Sequence, residues 1–77
     1  MRVKVKAFGS LYQWLPDDQS KAYIELPDDA KVEDLISSLR IPKKEVWFAA
    51  VNGERAQDDQ ALSEGDEVSL YSPVGGG

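Results

Sequence analysis

The last three residues of this 77-residue chain, Gly75, Gly76 and Gly77, present a carboxylate with no side chain near it. Glycine loses more backbone freedom on ordering than any other residue, so a folded edge seldom ends in three of them. Such a segment fits a channel too narrow for other residues. A carboxylate reacts only after activation, for example as an acyl-adenylate, and then accepts sulfur or an amine. The two interpretations are a carried substrate that ATP-using partners charge, and a frayed end without a role.

The rest of the chain offers little for catalysis by itself. It contains no cysteine and no histidine. This excludes disulfides, thiol nucleophiles, imidazole acid–base catalysis and the usual zinc sites. Because no nucleophile–base pair can be recognised either, we expect neither an enzyme in its own right nor a metal site.

Length and composition predict one small globular domain. With 42% hydrophobic and 30% charged residues, the chain differs from disordered sequences. No apolar run approaches the roughly 20 residues of a membrane-spanning helix, and the N-terminus alternates polar and apolar residues, unlike a secretory signal. We therefore expect a cytoplasmic protein without membrane contact.

The formal net charge of −5 argues against a nucleic-acid binder, because affinity for phosphates comes from clustered lysine and arginine. Three basic residues, Arg2, Lys4 and Lys6, do share one face of the first predicted strand. A solvated sheet face is the favoured interpretation of these three.

Alternation of polar and apolar residues predicts two strands at the start of the chain. Val3, Val5 and Ala7 give the inward face of the first, and residues 21–26 form the second. Residues 9–20 make a long connection between the two strands, and we expect this connection to fold back on the core. One form open to it is a single helical turn. The residues that would fold back are Leu11, Trp14 and Leu15.

An amphipathic helix follows, with one apolar stripe made of Val32, Leu35, Ile36 and Leu39. Lys31 occupies the position where Ser or Thr would usually cap the helix, which leaves Asp29 as the alternative cap. The helix is expected to end before Pro42, since the residue before proline disfavours helical backbone.

Three further strands complete the pattern. Val46–Val51 is an apolar run that ends at the turn pair Asn52-Gly53, a short strand comes next, and Val68 and Leu70 alternate in the last strand. The order predicts an α+β domain: a mixed sheet of four to five strands with one main helix packed across it. We expect the first and last strands at its centre, a domain over residues 1–72 and a flexible tail over residues 73–77.

The aromatic residues suggest a docking surface beside the tail. Phe8 and Tyr71 fall on the outward side of strands expected to be neighbours, and aromatic side chains are favoured interface anchors. Trp47 and Phe48 are adjacent, and we expect both to pack in the core against either face of the sheet. The position of Trp14 is left open.

The chain resembles the MoaD/ThiS family of sulfur carriers, which have the ubiquitin-like β-grasp fold. The resemblance extends over almost the whole chain. It rests on five segments in the family's order: VKVKAFG, VEDLISSL, AAVNGE, LSEGDEVSL and SPVGGG. Within the family, the long first loop and the YSPVGGG ending look more like the small subunit of molybdopterin synthase, although Ser72 stands where a proline is usual.

The resemblance implies a role for each residue of the tail. Gly77 would be adenylated by an ATP-dependent activating enzyme of the ubiquitin-activating type and converted to a thiocarboxylate. Gly75 and Gly76 would occupy narrow channels of the partners, while Pro73 and Val74 would set the exit direction and give a small apolar grip. The acceptor would be the large subunit of molybdopterin synthase or another sulfur acceptor. No cofactor would be bound permanently, since ATP is used by the activating partner.

Three other functions fit the same features. The activated glycine could instead modify lysines of target proteins, as ubiquitin-like modifiers do. The sulfur could serve thiamine biosynthesis or tRNA thiolation. A plain interaction domain with an idle tail is the third alternative. The acidic net charge would suit partners with basic nucleotide or pterin pockets.

Overall fold

The computed structural model describes residues 1–16 and 20–73. In this part of the chain, five strands and one α-helix follow the predicted order. A 3-10 helix over Gly9–Trp14 lies between the first two strands, and a second, Lys43–Glu45, follows the α-helix. The bounds are β1 Arg2–Ala7, β2 Lys21–Glu25, α1 Val32–Ser38, β3 Phe48–Val51, β4 Glu54–Ala56 and β5 Glu67–Tyr71.

The five strands form one mixed sheet in the order β2-β1-β5-β3-β4. β1 and β5 are parallel neighbours, while β2 pairs with β1, β3 with β5 and β4 with β3 in antiparallel fashion. The first and last strands therefore lie inside the sheet, as predicted. This is the topology of the ubiquitin-like β-grasp fold, and it confirms the predicted fold class.

The core lies between one face of the sheet and α1. Val3 and Val5 of β1, Val68 and Leu70 of β5, and Val32 and Leu35 of α1 are fully buried in one cluster. Ile36 is also buried, and Leu39 packs half-buried at the edge of that cluster. The predicted apolar stripe of the helix is thus confirmed.

The start of α1 is capped in a way that differs from the prediction. The Lys31 amide donates to the Asp34 carboxylate (2.8 Å). The next two amides, of Val32 and Glu33, donate to the backbone carbonyls of Gln60 and Asp58 (3.0 and 2.9 Å). Asp29 makes no such bond. The loop after β4 therefore satisfies donors that a side-chain cap would normally satisfy.

The helix ends earlier than the position of Pro42 suggests, because Arg40 adopts left-handed backbone (φ 61°). The Arg40 amide donates to the Ser37 carbonyl (2.9 Å), and the Ile41 amide donates to the Ile36 carbonyl (3.3 Å). These two bonds form a Schellman motif, and the buried side chains of Ile36 and Ile41 supply its usual apolar contact.

The connection between β1 and β2 folds back on the core, as expected. Leu11 in the 3-10 helix and Leu15 after it are buried, and Trp14 packs half-buried against the same cluster. Residues 17–19 lie outside the described residues.

The turn between β3 and β4 is tied to the start of β5. Asn52 and Gly53 have the two positive φ values (53° and 87°) of the hairpin turn that the sequence predicts. The Asn52 side chain accepts from the Glu67 amide (3.0 Å) and donates to the Asp66 carboxylate (2.9 Å). These bonds fix β3 and β5 relative to each other, and with them the surface that both strands carry.

The amino terminus is also held by hydrogen bonds. The Met1 ammonium donates to the Leu26 carbonyl (2.6 Å) and to the Asp28 carboxylate (3.0 Å).

Among the described residues, no helix has the length and apolar character needed to cross a membrane.

Candidate functional site

The described chain leaves the sheet at the end of β5, the central strand. The last backbone bonds at the end of β5 join the Leu70 carbonyl to the Phe8 amide (2.9 Å) and the Tyr71 carbonyl to the Trp47 amide (2.7 Å). Ser72 is half-buried and Pro73 is exposed. Val74, Gly75, Gly76 and Gly77, all predicted site residues, lie outside the described residues. The tail therefore starts at the surface, from a strand that is held on both sides.

Three aromatic rings lie side by side where β5 ends. The Phe8 ring stacks on that of Tyr71, with 4.7 Å between centroids and 4° between planes. The Phe48 ring stacks on the other side of Tyr71, at 4.5 Å and 15°. We call Phe8, Tyr71 and Phe48 the aromatic strip. Phe8 directly follows β1, Phe48 begins β3, and the central ring, Tyr71, ends β5 two residues before Pro73.

Two further side chains contact the Phe48 end of the aromatic strip. Trp47 makes an edge-to-face contact with Phe48 (5.1 Å, 77°), and the Arg55 guanidinium lies 4.7 Å from the Phe48 ring centroid. Trp47 is 63% exposed and Phe8 43% exposed. Exposed aromatic rings in contact with each other, rather than scattered, are typical of a protein-binding surface.

The expected core positions of Trp47 and Phe48 are wrong. Ala49 and Val51 point into the core, so strand alternation turns Phe48 to the opposite face, where it is half-buried by Tyr71. Trp47 precedes β3, which begins at Phe48 rather than at Val46. Both residues belong to the surface that the sequence predicted from Phe8 and Tyr71 alone.

The structure brings Phe8 and Tyr71 into direct contact, as their outward positions on neighbouring strands predict. Sequence reasoning missed Phe48, Trp47 and Arg55 as parts of this surface. The run from Val46 to Val51 has no polar residue, so only its pairing with β5, which aligns Phe48 with Tyr71, assigns Phe48 to this surface. Arg55 needs the β3–β4 register, which pairs it with Ala50.

A five-stranded mixed sheet in the order β2-β1-β5-β3-β4 with one α-helix across it defines the class of small ubiquitin-like β-grasp proteins. The model of the ThiS family matches residues 5–77. The chain belongs to this family.

Solved structures agree with this assignment. A protein from Pyrococcus furiosus assigned as molybdopterin converting factor, subunit 1, is 31% identical (TM-score 0.76; 96% of this chain, 99% of that chain). In the complex of subunits 1 and 2 of the molybdopterin-converting factor from Helicobacter pylori, a match has 29% identity (TM-score 0.63; 100% of both chains). Small archaeal modifier protein 1 from Haloferax volcanii, at 23% identity, shares the fold (TM-score 0.76; 95% and 98%). None of the curated proteins matches this sequence.

Proposed function

We propose that this protein is a sulfur carrier in molybdopterin biosynthesis, and that Gly77 is the carrier terminus. A cytoplasmic adenylating enzyme joins the Gly77 carboxylate to the AMP portion of ATP and releases pyrophosphate. Sulfide from a sulfur donor then attacks the acyl carbon of this adenylate, the bond to AMP breaks, and a thiocarboxylate and AMP remain. The carrier itself supplies the acyl group and the docking surface, whereas the partner enzyme supplies ATP binding and catalysis.

The observation that supports this proposal most is the junction of the aromatic strip with the tail. Tyr71 is both the central ring of the strip and the last residue of β5. A partner that covers the strip therefore also receives the chain that follows Pro73. Residues 73–77 extend to about 17 Å at the usual rise per residue, enough to reach a buried active site.

The assignment to molybdopterin rather than to another sulfur pathway is supported by the two relatives described as subunit 1 of a molybdopterin converting factor. The Helicobacter pylori relative is in a complex with subunit 2. By analogy, the acceptor proposed for this carrier is a large subunit that binds the pterin precursor. Transfer to lysines of target proteins would use the same activated glycine, and its product would be an isopeptide conjugate instead of a thiolated pterin.

The experiment is intact mass spectrometry after incubation with an adenylating enzyme, ATP and a sulfur source. Replacement of one carboxylate oxygen by sulfur adds about 16 Da, and we expect this gain in the full chain. A matched variant without Gly77 keeps the body and the strip, but its end is one residue short of the reacting position, and we expect no gain. An unchanged full-chain mass, or an equal gain in the truncated variant, would contradict the proposal.

A further inference from the structure

The face of the sheet that points away from α1 has a charge opposite in sign to that of the whole chain. We call it the open face. The net charge of the chain is −5. On the described strands, however, the open face has five cations and two carboxylates, an excess of three positive charges. They are Arg2, Lys4, Lys6, Lys21 and Arg55, against Glu25 and Glu67.

Three of these cations are already paired. Glu67 lies between Lys4 (3.9 Å) and Lys6 (3.2 Å). Arg2 lies 4.0 Å from the Glu25 carboxylate and stacks over Tyr23. Such contacts satisfy side chains within the fold and need no partner protein.

Lys21 and Arg55 differ from them. Both are exposed, and neither makes an ion pair with any residue in the described part of the chain. Arg55 is nevertheless held in place, because its guanidinium packs on the Phe48 ring. An exposed cation held against an aromatic surface is placed to meet a carboxylate from another molecule.

The two cations mark the ends of one cross-strand row beside the aromatic strip. The register aligns Lys21 with Lys6, Lys6 with Ser69, Ser69 with Ala50, and Ala50 with Arg55. Between Lys6 and Arg55, the row has only the short side chains of Ser69 and Ala50. The open face thus has a cation at each end of this row and aromatic rings along one side of it.

We propose that the adenylating enzyme docks here with an acidic surface, and that its carboxylates pair with Arg55 and Lys21. This inference rests on the proposed function for the use of the strip as a docking surface. Burial of a guanidinium without a counter-ion is unfavourable, so a partner that covers Phe48 must also satisfy Arg55. Complementary charge also speeds encounter and selects among partners. The acidic net charge of the chain would suggest the opposite kind of partner surface.

The charge of the open face can be measured without any partner. Amide relaxation enhancement by an anionic nitroxide, carboxy-PROXYL, is compared with that by the cationic aminomethyl-PROXYL. We expect the anionic probe to have the stronger effect at Ala50 and Ser69, and the cationic probe to have the stronger effect at the exposed acidic residues around α1. A stronger effect of the cationic probe at Ala50 and Ser69 would overturn the inference.

The second experiment measures association with the adenylating enzyme by stopped flow at low and high salt. We expect Arg55→Glu to slow association about tenfold at low salt, with a smaller loss at high salt, because screening weakens the attraction. Arg55→Lys keeps the charge and should stay within about twofold of the wild type. Lys31→Glu makes the same charge change at the start of α1, on the other side of the sheet, and should also have an effect below about twofold.

The outcomes separate this inference from the proposed function. If the full chain gains sulfur but Arg55→Glu and Lys31→Glu associate equally fast, the acidic partner surface is wrong and the carrier function stands. If association depends on Arg55 but Gly77 never gains sulfur, the carrier function is wrong and the acidic partner surface is supported. If the full chain does not associate with the enzyme at low salt, this inference is overturned as well.

Discussion

The ion pair between the Met1 ammonium and Asp28 links the stability of the fold to pH. The hydrogen bond that the Met1 ammonium donates to the Asp28 carboxylate, together with the negative charge of Asp28, raises the pKa of the ammonium above its ordinary value of 8.0. A raised pKa in the folded state means that the folded protein holds this proton more tightly than the unfolded chain. The contribution is fully present below pH 8.0 and is lost as the pH rises through the folded-state pKa.

We therefore expect the Asp28→Asn variant to be less stable than the wild type below pH 8, with a difference that shrinks as the pH rises through the raised folded-state pKa of the Met1 ammonium. Urea unfolding of both proteins at a series of pH values measures this difference in the free energy of unfolding. Asp29→Asn removes the same charge one residue further on, with no ion pair to Met1, and serves as the control. A pH dependence in which both variants behave alike would show that the Asp28 pair does not matter.

At the scale of elements, the end of α1 contains a residue in an unfavourable conformation. Arg40 occupies the left-handed C′ position of the Schellman motif, where glycine is the common residue. For a residue with a side chain, this backbone costs about 1–2 kcal/mol. Glycine at this position would avoid that cost, but part of the gain in stability would be offset because glycine is more flexible in the unfolded chain.

We expect Arg40→Gly to raise the free energy of unfolding by about 0.5–1 kcal/mol. Chemical unfolding monitored by circular dichroism gives the value. Ser37→Gly, at an exposed position in the last turn of α1 with ordinary helical backbone, is the matched control and should lower the free energy of unfolding by a similar amount, because glycine there only adds flexibility to the unfolded chain. Destabilisation by Arg40→Gly would contradict the strain ascribed to φ 61°.

The elements also show what the sequence can and cannot predict. β1 and β5 are predictable because Val3, Val5, Val68 and Leu70 alternate with polar residues, a local signal. The run from Val46 to Val51 has no polar residue to set its phase, so either alternation fits it. Only pairing with β5, which aligns Phe48 with Tyr71, selects the phase.

Other details of the fold depend on residues far apart in sequence. The cap of α1 comes from the carbonyls of Asp58 and Gln60, more than twenty residues after Lys31. The contact of Phe8 with Tyr71 could be predicted because both strands were expected to be neighbours. Arg55 could not be assigned to the same surface, since no local pattern fixes the register of a three-residue strand.

At the scale of the whole molecule, the described structure ends at Pro73, where the segment that we propose to react begins. The aromatic strip joins the rings of Phe8, Tyr71 and Phe48 and lies next to that point. A change at the strip should therefore affect partner binding more than it affects the stability of the body.

We expect Phe8→Ala to weaken binding of the adenylating enzyme by about 1–2 kcal/mol, since one aromatic anchor of the strip is lost. Its effect on stability should be smaller, because a stacked pair at the surface contributes about 0.5–1.5 kcal/mol. Isothermal titration calorimetry gives the affinity. Tyr12→Ala removes a ring that is 48% exposed in the 3-10 helix Gly9–Trp14, outside the aromatic strip and off the strands of the open face, and should bind like the wild type. Equal losses in both variants would exclude the strip as the docking surface.

The position of β5 between β1 and β3 has a mechanical consequence for a terminus that, as we propose, an enzyme binds and releases. A pull on Pro73 acts along β5, so the load is shared at once by the hydrogen bonds to β1 on one side and to β3 on the other. Bonds sheared together resist far more force than bonds that open one after another from an edge. A partner can therefore pull on the terminus repeatedly without unfolding the domain.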